Sequence, residues 1–355
     1  MTATIKNDYF KQLDTLRCIA VFIVIFHHLP VFSSDNFISV FFHQITGVDI
    51  FFILSGFLIT NILLKSRNKQ TSAGRALKTF YVRRFFRIFP IYYLTILALV
   101  VINPAHYRDY FLFDLFYVSN IKMGLDGHFS TVSPHFWSLA VEEQFYLFMP
   151  ILIFITPVRL LKYLLGLLFV SGIVTLFTFY GTSYNFLAMR TFNNLLYLGS
   201  GAWLAWIFQN RQSIYDFFHA ISIYVLLLYV ILVILIFFKS IELPFMVQYL
   251  FKFVFCFFLV VKFTVGFKAI AGKIAEFPLF IYLGKISYGL YLYHFLMIIP
   301  VSLLNNLSVK YLNIALYSNV YQSNVWKIIF TLITAAISWW LVETRMNRLK
   351  EKFAY

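Results

Sequence analysis

Long apolar runs dominate this chain and constrain its fold more than any other feature. A helix needs about 20 predominantly apolar residues to cross the hydrocarbon core of a bilayer. Ten runs of about this length occur, at roughly 14–33, 47–64, 80–102, 136–156, 160–180, 191–208, 219–238, 244–263, 279–304 and 325–343. Hydrophobic residues make up 61% of the chain and charged residues only 12%. The sequence therefore predicts an all-α, polytopic membrane helix bundle of about ten transmembrane helices, with residues 1–355 as a single domain.

Basic residues give the predicted orientation of the bundle. The most basic part of the chain follows the second run and extends into the start of the third; it holds Lys65, Arg67, Lys69, Arg75, Lys78, Arg83, Arg84 and Arg87. Cytoplasmic loops are enriched in Lys and Arg, so this segment is expected to be cytoplasmic. With an even number of spans, both termini then lie on the cytoplasmic side. The net charge of +15 is explained by such loops, and nucleic acid is not expected as a partner.

An arginine and a histidine share one face of the first apolar run. Arg17 and His28 are eleven residues apart, which on a helix corresponds to about three turns and about 16 Å of rise. Because polar side chains are costly in lipid, this face is expected to line a protein interior or a wet cavity. Structural explanations remain open: Arg17 extends its charged end toward the membrane surface or pairs with Asp14, and His28 caps an interfacial helix end.

A pair of arginines lies at the start of the third run, in the segment FYVRRFFRIFPIYY. Arg84 and Arg87 are three residues apart, so they share a helix face at the cytoplasmic mouth of the bundle. Two guanidinium groups match phosphate oxygens well, since each binds them in a bidentate manner. The alternative is a basic patch that contacts anionic lipid head groups.

The fourth run begins with SPHFWSLAVEEQFY and carries an imidazole and a carboxylate on one face. His135, Glu142 and Tyr146 follow one another at spacings of seven and four residues. A buried carboxylate inside a membrane span indicates a functional role. The alternative is that Glu142 or Glu143 is the ion-pair partner of a core arginine, which would be a structural role.

Two further runs contain candidate polar residues. Asp49, in the segment GVDIFFILSGF, is either a helix-start carboxylate stabilised by the helix dipole or a partner for an outer histidine. The segment KISYGLYLYHF in the ninth run places Ser287, Tyr291 and His294 on one helix face. Each signal is weak by itself, and His294 is also explained as a hydrogen-bonded core histidine.

Taken together, these segments resemble the acyltransferase type 3 family of integral membrane acyltransferases, over nearly the whole chain. The resemblance rests on five motifs in this order: LDTLRCIAVFIVIFHH, GVDIFFILSGF, RRFFRIFPIYY, HFWSLAVEEQFY and ISYGLYLYHF. The chain departs from the family pattern at Glu343, which is followed by Thr344 and Arg345 instead of Lys-Pro-Phe. The soluble hydrolase-like domain fused to some members is expected to be absent.

The resemblance implies transfer of an acyl group, usually acetyl, from cytoplasmic acyl-CoA to a hydroxyl group of a cell-surface carbohydrate. Typical acceptors are O-antigen, exopolysaccharide or a lipid-linked sugar, and the implied location is a bacterial inner membrane. Arg84 and Arg87 would bind the CoA phosphates, and Arg17 would lie along the path of the pantetheine arm. Acetyl-CoA is the expected donor, and no metal is expected.

The same resemblance implies that the chemistry takes place near the outer end of the first helix. His28 would act as a general base on the sugar hydroxyl or as an acyl carrier. Glu142, His135 or Asp49 would orient the imidazole or relay its proton.

Two other functions fit some of these residues. A transporter or proton-coupled carrier also uses Arg, His and Glu inside the membrane, but no inverted repeat or matching pair of Gly/Pro-broken runs is visible in the sequence. A zinc site formed by His27, His28 and His135 lacks close metal-ligand spacing.

Overall fold

The structure, a computed structural model, describes residues 9–29, 46–69, 72–179, 190–238 and 243–353. Over these ranges the chain forms helices and no strand, so the predicted all-α fold is confirmed. The residues after 29 in the first predicted run, and the last residue of the fifth, lie outside the described ranges.

Sixteen α-helices follow one another along the described ranges. In the first half they are α1 (Lys11–His27), α2 (Gly47–Asn68), α3 (Ala73–Ile102), α4 (Phe111–Leu115), α5 (Ser119–Asp126), α6 (Phe136–Ile155), α7 (Leu161–Thr178) and α8 (Thr191–Asn210). In the second half they are α9 (Gln212–Phe237), α10 (Phe245–Val265), α11 (Ala269–Ala275), α12 (Pro278–Lys285), α13 (Ser287–Tyr293), α14 (Ile298–Leu312), α15 (Val320–Ser338) and α16 (Thr344–Glu351).

Most of the long helices are suited to cross a membrane. By length and hydropathy, seven described segments qualify, and the pair α13–α14, bent by 58°, makes an eighth if it is one span. Helices also occupy the first and sixth predicted runs, as α1 and α8. These two are not among the qualifying segments, since α1 has 17 described residues and α8 contains several amide side chains. The number of ten spans therefore stays a prediction.

Helix α1 lies at the centre of the bundle, in contact with α2, α10, α12 and α13. Two glycines allow the closest of these approaches. A Cβ atom on Gly47 of α2 would overlap the carbonyl oxygen of Ala20, and one on Gly284 of α12 would overlap that of Asp14. Small residues at such points let helix backbones pack closely in a membrane. The polar face of α1 is thereby held against its neighbours at two levels.

Candidate active site

A cavity of about 250 Å³ lies between α1, α2, α3, α6 and α13, and its lining is strongly basic. Five cationic side chains and one carboxylate, that of Glu142, line it; the cations are those of Arg17, Arg83, Arg84, Arg87 and Lys350. We call this space the basic cavity. Unbalanced positive charge in a partly enclosed space favours an anionic ligand with several charges.

The two arginines of α3 lie together in the basic cavity, as their spacing predicts. Arg87 is solvent-accessible although it lies within a long apolar helix, because its side chain lines the cavity. Arg84 is half-buried, and its guanidinium carbon lies 3.9 Å from the centre of the Tyr146 ring. This distance is within the range of a cation–π interaction, which orients the guanidinium while leaving its N–H groups able to donate to a ligand.

Glu142 is hydrogen-bonded to Tyr146, whose ring packs against the Arg84 guanidinium. Its Oε1 atom accepts hydrogen bonds from the hydroxyl groups of Tyr146 and Ser55, and the Tyr146 hydroxyl is also 2.8 Å from Ser55 Oγ. The carboxylate thus connects α6 with α2 on the wall of the basic cavity. Its hydrogen-bond partners belong to the arginine side of the site, and the role predicted for it at the imidazole stays a prediction.

Arg17 combines a structural contact with exposure to the basic cavity. Its guanidinium donates to the carboxylate of Asp14, three residues earlier on α1, and the hydroxyl of Tyr9 donates to the other oxygen of that carboxylate. The side chain of Arg17 is nevertheless 20% exposed and lines the cavity. Pairing with Asp14, one of the open alternatives, therefore coexists with a position beside the expected donor path.

The C-terminal helix α16 supplies a cation to the basic cavity. The Arg83 guanidinium donates to the carbonyl oxygens of Phe353, at 2.7 Å, and Lys350, at 3.4 Å. These bonds hold residues 350–353 against α3, and Lys350 lines the cavity beside the arginines. The five sequence motifs did not point to this neighbour, because Lys350 lies far beyond the last of them, which ends at His294 and Phe295.

A second cavity, of about 210 Å³, lies at the other end of α1. We call it the histidine cavity, since His28 and His294 line it together with Lys327, Thr331 and apolar side chains. His28 is the residue that follows the last turn of α1, and it is exposed to this space. His294 is only 6% exposed. The accessible imidazole is therefore that of His28.

Hydrogen bonds fix the tautomers of the two imidazoles. His294 Nδ1 lies 2.6 Å from the carbonyl oxygen of Tyr291, and His28 Nδ1 lies 2.9 Å from that of Val24. A carbonyl oxygen can only accept, so both Nδ1 atoms carry hydrogen. His294 Nε2 is then an acceptor, and it lies 3.2 Å from His28 Nδ1. In neutral His28 the lone pair is left on Nε2, the atom that can take a proton or attack a carbonyl carbon.

His135 is the third imidazole of this region and is almost completely buried, at 2% exposure. Its Nε2 lies 3.0 Å from the carbonyl oxygen of Leu292, and its ring centre lies 4.8 Å from that of His294. His135 thus joins the start of α6 to α13. Over the ranges that the structure describes, no group of three or more His, Cys, Asp or Glu side chains is arranged to hold a metal ion.

Asp49 lies in a different polar cluster. Its Oδ2 atom is 3.3 Å from Nζ of Lys252 on α10, and both side chains are about nine-tenths buried. This ion pair connects α2 to α10. The partnership with a histidine that the sequence suggested for Asp49 is therefore not the contact that the structure gives it, and a catalytic role for Asp49 stays a prediction.

The segment between α3 and α6 is anchored by a fully buried carboxylate, that of Asp114. The hydroxyl groups of Tyr107 and Ser133 each donate to its Oδ2 atom at 2.8 Å, and the Tyr92 hydroxyl donates to its backbone carbonyl at 2.8 Å. Burial raises the pKa of the Asp114 carboxyl to about 7, although the hydroxyl donors act in the opposite direction. This anchor positions Ser133, two residues before His135.

Comparison with known proteins identifies relatives over most of the chain. The acyltransferase domain family of type 3 matches residues 10–343. OatA of Listeria monocytogenes, a peptidoglycan O-acetyltransferase, is 30% identical over an alignment of 384 residues that covers 98% of this chain and 57% of the relative. YrhL of Bacillus subtilis, for which the same activity is proposed, is 37% identical over 162 residues, covering 41% of this chain and 24% of that protein.

The chain thus spans little more than half the length of OatA and a smaller part of YrhL. No solved structure matches it.

Proposed function

The chain belongs to the acyltransferase type 3 family, and we propose that it transfers an acetyl group from acetyl-CoA through the membrane to a hydroxyl group of a cell-surface glycan. The observation that carries this proposal is the arrangement of two cavities along α1. One is lined by five cations and the other by an accessible imidazole. An acyl donor with several negative charges at one end and a reactive thioester at the other matches these two cavities.

The basic cavity would take the nucleotide part of the donor. Coenzyme A carries a diphosphate and a 3′-phosphate, which match the excess of cations over the single lining carboxylate. Arg84 and Arg87 would contact these phosphates directly, and Lys350 would approach them from α16. Lipid head groups fit less well, because the two arginines line a space between helices.

The distance between Arg17 and His28 along α1 supports a position of the donor thioester near His28. Arg17 and His28 are separated by about 16 Å of helix rise, which the extended pantetheine arm of CoA can span. The basic segments near α3 are the expected cytoplasmic side, so the donor would enter from the cytoplasm and the histidine cavity would face outward. A bacterial cytoplasmic membrane is the location that this arrangement suits.

In the chemical step, His28 Nε2 would remove the proton of the acceptor hydroxyl group. The hydroxyl oxygen would bond to the thioester carbonyl carbon, the carbon–sulfur bond would break, and the proton would pass to the departing CoA thiolate. An acyl-imidazole on Nε2 is the two-step version of the same transfer. In both versions the Nε2 lone pair is the reacting group.

The acceptor that we propose is a peptidoglycan-type glycan. OatA, the relative that covers 98% of this chain, acts on peptidoglycan according to its name, and the histidine cavity opens at the end of α1 opposite the basic residues. A sugar hydroxyl at the membrane surface can reach an imidazole at this position. Other surface glycans present the same hydroxyl chemistry.

The proposal is tested with the purified protein reconstituted in sealed vesicles. Acetyl-CoA labelled in its acetyl group is supplied on one side, and muramidase-released peptidoglycan fragments are enclosed on the other. We expect label to accumulate in the fragments as an alkali-labile ester, in proportion to CoA release. Appearance of intact labelled acetyl-CoA on the acceptor side, without ester, would overturn the proposal and favour a carrier.

A further inference from the structure

We propose that His294 is a positioning residue for this reaction, one that holds the His28 imidazole and stabilises its protonated form without itself becoming charged. This inference rests on the proposed function of His28. It begins from a contact between two helices that are far apart in the sequence, α1 and α13. His294 Nε2 lies 3.2 Å from His28 Nδ1, and the two ring centres are 4.9 Å apart.

The backbone around His294 determines which of its nitrogens carries hydrogen. Its Nδ1 atom lies 2.6 Å from the Tyr291 carbonyl oxygen, so the hydrogen is held there and Nε2 keeps its lone pair. That lone pair faces the His28 N–H group. A metal-bound or catalytic imidazole is commonly oriented in this way by an acceptor on its second nitrogen. Here the acceptor is an imidazole instead of a carboxylate.

His28 Nδ1 has a second acceptor in the last turn of its own helix. The backbone N–H of His28 bonds to Ile25, which leaves the Val24 carbonyl to accept from the imidazole at 2.9 Å. Val24 therefore fixes the tautomer of His28, while His294 fixes the direction of the ring from outside α1. When Nε2 takes a proton, positive charge is shared with Nδ1, where both acceptors lie.

His294 is buried, as expected for a residue that accepts a hydrogen bond from His28 without reacting with the substrate. It is 6% exposed, whereas His28 is open to the histidine cavity. The His135 ring also packs against it, with ring centres 4.8 Å apart. His294 therefore contributes little accessible surface to the histidine cavity that it lines with His28, and His28 is the imidazole that an acceptor substrate reaches more readily. We infer that His294 does not exchange protons with the substrate and acts only through His28.

Three variants test the inference in the vesicle assay with acetyl-CoA and peptidoglycan fragments. His294→Phe keeps an aromatic ring but has no acceptor for His28 Nδ1, whereas His294→Gln places an amide oxygen near that position. His128→Phe changes an exposed histidine on the segment between α5 and α6 and controls for the loss of a histidine.

We expect His294→Phe to lower kcat by about 10- to 100-fold with an unchanged KM for acetyl-CoA. His294→Gln should recover most of the lost kcat, and His128→Phe should behave like the unmodified protein. Equal kcat for His294→Phe and the unmodified protein would overturn the inference, as would equal impairment of the Phe and Gln variants. If His28→Ala retains full activity, the proposed function of His28 fails instead.

Discussion

The side-chain hydroxyl groups of Tyr291 and Ser138, two residues that line the basic cavity, are hydrogen-bonded to each other. Both hydroxyl groups also lie within hydrogen-bonding distance of the His135 carbonyl oxygen, at 2.9 Å from Ser138 and 3.2 Å from Tyr291. The backbone carbonyl of the same tyrosine holds His294. Tyr291 therefore contacts both parts of the site: its side chain lines the basic cavity, and its backbone carbonyl holds a histidine of the other cavity.

Removal of this hydroxyl group should loosen the contact between α13 and α6 beside the two cavities. We expect Tyr291→Phe to raise acceptor-independent release of CoA from acetyl-CoA several-fold, because the thioester and water then reach His28 more easily. The lost hydrogen bond costs roughly 1 kcal/mol of stability. Release of CoA is followed with a thiol reagent in the absence of glycan.

Tyr293→Phe is the matched control, since it removes a hydroxyl group two residues further along. The Tyr293 hydroxyl donates to Ser338 Oγ at 3.1 Å and lies in neither cavity lining. Its variant should show the same modest loss of stability and no added CoA release. An equal increase in both variants would show that general loosening of α13 is the cause.

Arg87 and Arg84 are expected to act on donor binding. Replacement of either by Ala should raise the KM for acetyl-CoA by about 10- to 100-fold, the range that corresponds to loss of a hydrogen bond to a charged group. Arg84→Lys should recover only part of the affinity, because lysine lacks the planar fork that lies on Tyr146.

Arg75→Ala provides the control for this experiment, since Arg75 is exposed on α3 and lies outside the cavity lining. Unchanged donor affinity is expected for it. If all three alanine variants express poorly but bind acetyl-CoA normally, the arginines serve as contacts to lipid head groups.

Asp114 should make the stability of the protein depend on pH. Its pKa of about 7 in the folded protein is above the value near 3.9 of an unfolded chain. The folded state therefore binds more protons between these values, so the contribution of Asp114 to the free energy of unfolding falls as pH rises from about 4 to 7 and then levels off.

The neutral variant Asp114→Asn should lack this contribution. The Tm of the variant minus the Tm of the unmodified protein should therefore be several degrees larger at pH 8 than at pH 5. Thermal unfolding is monitored by size-exclusion chromatography in detergent. A difference between the two proteins that does not change with pH would show that Asp114 stays ionised when buried.

Spacing within one helix correctly predicted which side chains lie together on one face. Arg84 and Arg87 share a face and line one cavity, and Arg17 pairs with Asp14 at the expected three-residue spacing. Such relationships follow from the helical repeat alone. The resemblance of the sequence motifs to the acyltransferase type 3 family is confirmed by the family match over residues 10–343.

Contacts between helices could not be predicted from the sequence. The contact of His28 with His294 spans 266 positions, and Asp49 pairs with Lys252 from α10. Lipid-facing and protein-facing surfaces are both apolar in a membrane bundle, so hydropathy does not tell which helices are neighbours. The spacing of Tyr291 and His294 in ISYGLYLYHF was the one signal that pointed to His294, and it was equally consistent with a core histidine.

Acetyl transfer by the His28→Ala variant, measured beside His27→Ala in the vesicle assay, tests the role of His28 most directly. His27 is the neighbouring exposed histidine and lies outside both cavity linings. We predict that His28→Ala binds acetyl-CoA normally but loses at least about 100-fold in kcat, whereas His27→Ala retains activity. Transfer at the unmodified rate by His28→Ala would contradict the proposal.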